Sequence, residues 1–176
     1  IDLSYNKLTV FPVNILDAVS SNSLSLNLGH NQIDEISTPL IRKIWSFSKL
    51  DLSYNNLKNF TINCDFINAL LLNDNQLAYF STPNCTIDRL SLSNNELTEL
   101  DVAKISSLSL SRNIRLKKLT ISDASDLDTL VASDLSANVI TMETLKNSTQ
   151  MEVLDLSGTF LGPLQFDTFA EMTMLK

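Results

Sequence analysis

Leu70-Leu71-Leu72-Asn73-Asp74-Asn75-Gln76-Leu77 returns twenty residues later as Leu90-Ser91-Leu92-Ser93-Asn94-Asn95-Glu96-Leu97. The same Leu-x-Leu-x-x-Asn frame precedes them at Asn6, Asn31 and Asn55 and follows them at Asn113 and Asn138. An eighth copy, Leu154-Asp155-Leu156-Ser157-Gly158-Thr159, ends in Thr. Counted from one frame end to the next, the steps are 25, 24, 20, 20, 18, 25 and 21 residues. Self-similarity at such a period predicts a solenoid, in which each repeat is one coil packed only on its neighbours.

The columns of this alignment say what each coil buries. Five residues before the Asn stand Ile1, Leu26, Leu50, Leu70, Leu90, Leu108, Ser133 and Leu154, and three before it stands Leu throughout. Alternation of apolar and polar residues is the period of a strand with one buried face. Eight before the Asn the chain is again apolar, at Phe47, Ile67, Ile87, Ile105, Leu130 and Met151, with Ser23 departing; two after it come Leu8, Ile33, Leu57, Leu77, Leu97, Ile140 and Leu161. One strand cannot bury these faces alone, so the coils stack at the strand spacing of about 4.8 Å. Asn6, Asn31, Asn55, Asn75, Asn95, Asn113 and Asn138 form an inward ladder at the turn. Their amides satisfy backbone groups that no sheet reaches.

Two places depart from the frame. After Asn113 the sequence Ile114-Arg115-Leu116 brings the expected Leu one place late, which predicts a bulge and local looseness over 113–133. Coils of 24 to 25 residues have room for a helical turn on the outer side, whereas those of 18 to 20 must return through extended chain and loop. The expected architecture is mainly β, with a parallel sheet on the concave face and mostly irregular convex connections.

Composition fits a folded chain: 176 residues, 44% hydrophobic, 19% charged and only three Gly. No run of about 18 apolar residues exists, so membrane insertion by this segment is not expected. A net charge of −7 opposes nucleic acid or anionic membrane as main partner, since both require clustered Lys and Arg. Catalysis has little to use. The one histidine, His30, adjoins ladder residue Asn31 with no nucleophile pattern around it, and neither metal-ligand spacings nor a Gly-rich phosphate loop occurs. We therefore expect no enzyme, no cofactor and no metal.

Cys64 and Cys85 fall nine and ten residues after Asn55 and Asn75, at nearly equivalent positions of neighbouring coils. That spacing lies within the Cα separations disulfides tolerate, about 4.4 to 6.8 Å; a bridge implies an oxidising compartment, and two reduced core thiols are the alternative. Asn59-Phe60-Thr61, Asn84-Cys85-Thr86 and Asn147-Ser148-Thr149 fit the N-glycosylation acceptor pattern. Asn84 and Asn147 both stand nine residues after a frame Asn, on the convex side.

The outward columns carry the candidate partner-binding residues. One before the Asn run Tyr5, His30, Tyr54, Asp74, Asn94 and Arg112; four before it run Asp2, Asn27, Asp51, Leu71, Ser91, Ser109, Asp134 and Asp155; six before it stand Lys49 and Arg89. Stacking is expected to join Tyr5, His30, Tyr54 and Leu71 into one amphipathic strip, with Lys49, Asp51, Asp74, Arg89 and Arg112 as its charged rim. Tyr and Arg are frequent interface anchors.

The pattern Leu-x-x-Leu-x-Leu-x-x-Asn-x-Leu resembles the leucine-rich repeat, and the whole chain fits it as one domain, 1–176, of about eight repeats. The irregular periods and Leu-Asp-Leu-Ser spellings look most like animal extracellular members, in the style of Toll-like receptor ectodomains and mosquito leucine-rich immune proteins. Leu161 to Phe169 resembles the convex spine of the longer animal repeats. The resemblance implies an α/β leucine-rich repeat solenoid in a horseshoe or arc. Neither end shows the Cys-rich cap usual in secreted members, and Ile1 already stands at a core position, so a fragment lacking both caps is expected. The function implied is a non-catalytic recognition module of a secreted or cell-surface innate immune protein, with a protein ligand or co-receptor as partner. A cell-adhesion or matrix repeat protein is the alternative; an intracellular scaffold comes third and requires reduced Cys64 and Cys85.

Overall fold

In a computed structural model, residues 1–14, 23–36, 46–83, 85–141, 143–161 and 169–176 are described. Seven strands form one parallel sheet: β1 (Leu24–Asn27), β2 (Ser46–Asp51), β4 (Phe66–Leu71), β6 (Thr86–Ser91), β8 (Ser107–Ser109), β10 (Thr129–Val131) and β11 (Val153–Asp155). Asp2 bridges to Asn27 and extends the sheet by one coil. The return sides of the middle coils carry two further parallel pairs, β3 (Asn59–Thr61) with β5 (Tyr79–Ser81) and β7 (Glu99–Lys104) with β9 (Lys118–Asp123). The chain is thus a parallel β-solenoid, and the middle returns are more regular than expected. Edge strands in neighbouring coils find each other because the coils already lie one strand spacing apart.

Register is set by leucine. Leu26, Leu50, Leu70, Leu90, Leu108, Leu130 and Leu154 are successive partners across the sheet. The column two residues on, Leu28, Leu52, Leu72, Leu92 and Leu110, is fully buried. Burial of each such side chain contributes roughly 1.5–3 kcal/mol.

Between these columns the carboxamides clamp coil to coil. Asn55 Nδ2 donates to Leu28 O (3.0 Å) in the preceding coil and to Leu52 O (3.1 Å) in its own, while its Oδ1 accepts from Ile33 N (2.9 Å). Asn31, Asn75, Asn95 and Asn113 repeat the same three contacts one coil apart. Among the described residues Asn6 bonds only within its own turn, to Leu3 O and Ser4 O.

Asn138 does not belong to this ladder. Leu130, assigned from sequence to the outer apolar column, pairs with Leu108 and Leu154, which moves the seventh frame back by three residues. Leu135 takes the ladder position, Ala132 the buried position three before it, and Ser133 an outward one. The backbone agrees: Arg112 N donates to Ser133 O and Asp134 N to Ser157 O, as Asn94 N donates to Ser111 O. Asn138 is exposed, and its N–H reaches Phe160 O. Thr159 does serve: its Oγ1 donates to Ala132 O (2.8 Å) and accepts from Leu135 N (3.0 Å). The late leucine after Asn113 is accommodated by a turn in which Leu116 N donates to Asn113 O. The segment expected to be loose instead holds β9 and a buried row of Leu116, Leu119, Ile121, Ala124, Leu127 and Leu130. At the other irregular site a bulge between Leu24 and Ser25 sets Leu24 opposite Phe47, so the core position does not fall to Ser23. The helical turn expected between Leu161 and Phe169 falls on 162–168, outside the described residues. Residues 15–22 and 37–45 of the long early coils also lie outside them.

Cys64 and Cys85 are joined, with Cα atoms 4.7 Å apart, tying the return of the third coil to that of the fourth. By the loop-entropy model a bridge over this separation stabilises by roughly 3 kcal/mol.

Two stability outcomes follow. Asn95→Ala strands two carbonyls and an N–H and lowers the unfolding free energy by about 1–3 kcal/mol for each group left unpaired. Asn138→Ala stays within about 0.5 kcal/mol of the parent; equal losses at the two sites in urea unfolding would refute the shifted register. Replacing both cysteines by Ala lowers stability by roughly 3 kcal/mol, and non-reducing peptide mapping recovers Cys64 and Cys85 in one disulfide-linked pair.

Candidate functional site

The residue before each ladder position is held with φ positive: Tyr5 (54°), His30 (55°), Tyr54 (54°), Asp74 (57°), Asn94 (56°), Arg112 (61°), Asp134 (54°) and Gly158 (66°). For residues other than Gly this conformation costs on the order of 1 kcal/mol, and it is compensated locally. Each of these N–H groups except that of Gly158 donates across to the next coil, as Tyr5 N to Gly29 O (3.0 Å) and Tyr54 N to Asn73 O (3.0 Å). The identical backbone turn aims every one of these side chains the same way, so a column of outward groups runs along one border of the sheet.

At its N-terminal end the column is aromatic. Tyr5 stacks on His30 with centroids 4.2 Å apart and planes 10° apart, and His30 stacks on Tyr54 at 4.2 Å and 8°. Tyr5 is 76% and Tyr54 48% exposed. His30 is sandwiched on both faces, so its edge nitrogens, the Tyr5 hydroxyl and the exposed parts of the two tyrosine rings meet an approaching partner.

The column continues as a polar chain. The Tyr54 phenol lies near Asp74, whose negative charge chiefly holds the phenol above its ordinary pKa. Asp74 Oδ1 accepts from Asn94 Nδ2 (2.6 Å) and Oδ2 from Asn73 Nδ2 (2.8 Å). Partial burial pushes the Asp74 carboxyl up, but the hydrogen bonds from Asn94 and Asn73, the nearby Tyr54 phenol and the charge of Arg112 outweigh it and hold the pKa below the usual carboxylate range. Arg112 then faces Asp134 at 3.8 Å.

The remaining residues of the expected strip separate from this column. Leu71 lies mid-sheet on β4, between Asp51 and Ser91 in register, and is half-buried. It does not join the rings, because the column of Ser53 and Asn73 stands between. Asp51 is buried: its Oδ1 accepts from Ser53 N (3.1 Å) and Oγ (2.6 Å), and its Oδ2 pairs with Lys49 at 3.0 Å. Asp2 and Asp155 likewise accept from the backbone N–H of the Ser two residues on, so these aspartates are structural. Arg89 is exposed and lies 3.7 Å from Asp88. Of the sequons, Asn59 and Asn147 are exposed, and Asn84 lies outside the described residues.

Sequence reading missed the positive φ and the Tyr54–Asp74–Asn94 chain. The signal was present: no β-branched residue occurs immediately before the ladder position. Among the described residues no group of His, Cys, Asp and Glu is arranged to hold a metal ion, and no helix is long and apolar enough to cross a membrane. No protein-family model matches the chain, and no curated protein is significantly similar to it in sequence.

Asp74→Asn removes the charge that raises the Tyr54 phenol, so its pKa returns towards about 10 in an ultraviolet difference titration. Because the Asp74 carboxyl is depressed in the folded state, the stability it contributes is present above its unfolded pKa of about 3.9. It is lost as pH falls through the lower folded value, and Asp74→Asn flattens that part of the acid-unfolding profile.

Proposed function

We propose that this chain is a leucine-rich repeat recognition module of a secreted or cell-surface innate immune protein, binding a protein ligand or co-receptor with the border column of its main sheet. The observation that carries the reading is the Tyr5–His30–Tyr54 stack and its continuation into Asp74 and Asn94. Large side chains already fixed against one another lose little entropy when a partner docks. Their exposed edges and hydroxyls suit the mixed apolar and hydrogen-bonding surface of a protein. Arg112 and Arg89 supply a charged rim, which steers association more than it adds affinity.

The Cys64–Cys85 bridge and the exposed sequon residues Asn59 and Asn147 support an extracellular setting. Glycans at these positions leave the ring column uncovered, since Asn59 begins β3 on the return side.

The test has two arms. Protein secreted from a eukaryotic host is weighed intact, with and without glycosidase and reductant; added hexosamine mass and an oxidised cysteine pair are expected. Against a candidate protein partner, Tyr5→Ala/Tyr54→Ala weakens binding by on the order of 2 kcal/mol while the melting temperature stays nearly constant. Unchanged affinity, with loss instead from changes on the return side, would overturn the assignment of the binding surface.

A further inference from the structure

On the return side of the middle coils two pairs of coils are zipped by backbone hydrogen bonds, and the seam between those pairs is open. Between the third and fourth coils Gln76 N donates to Leu57 O and Ala78 N to Lys58 O, and β3 and β5 then pair. Between the fifth and sixth, Lys117 N donates to Thr98 O, and β7 and β9 pair. Between the fourth and fifth, Glu96 N donates to Leu77 O, and beyond it no backbone hydrogen bond links β5 to β7 among the described residues. The chain after β5 turns at Thr82 to Cys85, where Cys85 N donates to Thr82 O, and the disulfide draws it towards the third coil. The seam therefore splays into a cleft of about 640 Å³.

Its floor is core seen from the side: Phe80, Ile87, Leu90, Leu100, Val102 and Ile105. Phe80 and Val102 are each 9% exposed, whereas Phe60, the register partner of Phe80, is fully buried. One wall is the edge of β7. In a parallel pair a strand spends alternate backbone groups on one neighbour, so half of those of β7 go to β9 and the other half face the cleft unpaired. Such an edge is a template for an added strand. Outward on β7 stand Glu99, beside its register partner Lys118, and Asp101; both acids are exposed and neither is in an ion pair among the described residues, and across the cleft stands exposed Tyr79. Lys104, at the far end of β7, is engaged by Asp126 (2.9 Å) and Asp123 (3.6 Å).

We propose that the free edge of β7 is a second binding site, taking an extended basic segment of a partner protein as an added strand. Alternate apolar residues of the segment rest on Phe80, Leu100 and Val102. The intervening lysines or arginines lie outward, their stems beside Tyr79 and their charges on Glu99 and Asp101. The site is on the opposite side of the coil from the aromatic column and stands independently of it.

The probe is a blocked Val-Lys-Val-Lys-Val-Lys-Val peptide carrying a fluorophore, titrated into the intact disulfide-bonded protein by anisotropy. Saturable binding is expected, with slowed amide exchange across β7. Two further peptides are N-methylated, one at every valine and one at every lysine. Because alternate amides face one edge, at least one of the two must lose at least about tenfold in affinity. Asp101→Lys, at an exposed position that leaves the fold intact, weakens the lysine peptide at least about tenfold and strengthens its Val-Glu counterpart. Absence of binding would overturn the proposal, as would undiminished affinity of both methylated peptides. So would saturable binding of monooleoylglycerol with no binding of the peptide, which would assign the cleft to an apolar small molecule.

Discussion

The solenoid depends on a carboxamide that reaches two coils at once. A strand ladder can join neighbouring coils only while the chain is extended. At the end of each strand the backbone turns inward, and two leucine carbonyls, one from each coil, are left facing the core. An Asn amide supplies two N–H donors for those carbonyls, and its oxygen takes the N–H of the earlier coil's next core residue. At Asn55 all three contacts lie between 2.9 and 3.1 Å. Leaving such groups unpaired costs about 1–3 kcal/mol each, so the ladder specifies register where the leucines alone specify only burial. The seventh coil shows the exception that the chemistry permits. Leu135 has no polar atoms in its side chain, so its backbone N–H turns to Thr159 Oγ1, and the hydroxyl covers one donor and one acceptor where an amide covers three groups.

The same turn fixes the outward surface. To bring the Asn inward the preceding residue enters the left-handed region, and that conformation recurs in all eight coils. Its side chains are therefore laid in file at about the strand spacing, whatever they are. Aromatic residues in file must stack, which is why the rings meet at 4.2 Å with nearly parallel planes. Carboxylate and amide in file must hydrogen-bond, as Asp74 and Asn94 do. The residues of this border can thus be exchanged one by one without touching the core.

Periodicity made most of this legible. The leucine columns, the ladder from Asn6 to Asn113 and the outward direction of Tyr5, His30 and Tyr54 all follow from counting. Counting failed where a leucine or asparagine satisfied two registers. Leu135 and Asn138 fit the frame by spelling, but Leu130, Ala132 and Leu135 fit it by packing, and burial of Leu127 and Leu130 prevails over one exposed amide. Ser23 misled for the opposite reason, since a bulge can restore a core position that the spelling skips. Asp51 looked like a rim charge because an outward column was assumed to be free. Its oxygens are consumed by Ser53 and Lys49, contacts that depend on side-chain reach and not on period. The return strands carry too short an alternation to separate from loop, and the cleft between β5 and β7 depends on the absence of contacts, which no motif spells.

That the fold tolerates this cleft follows from how a solenoid distributes its stability. Each coil interface contributes nearly independently, and at the interface of the fourth and fifth coils the front half is complete: Asn95 binds Leu72 O, Leu92 O and Leu77 N, and β4 pairs with β6. What is missing lies only behind Leu77 and Leu97. One coil away the return side carries both a strand pair and the Cys64–Cys85 bridge. The bridge holds Cys85 towards the third coil, so the reinforcement of one interface and the opening of the next are two results of the same covalent tie. The front sheet and its ladder carry the fold, and the return side is thereby free to part.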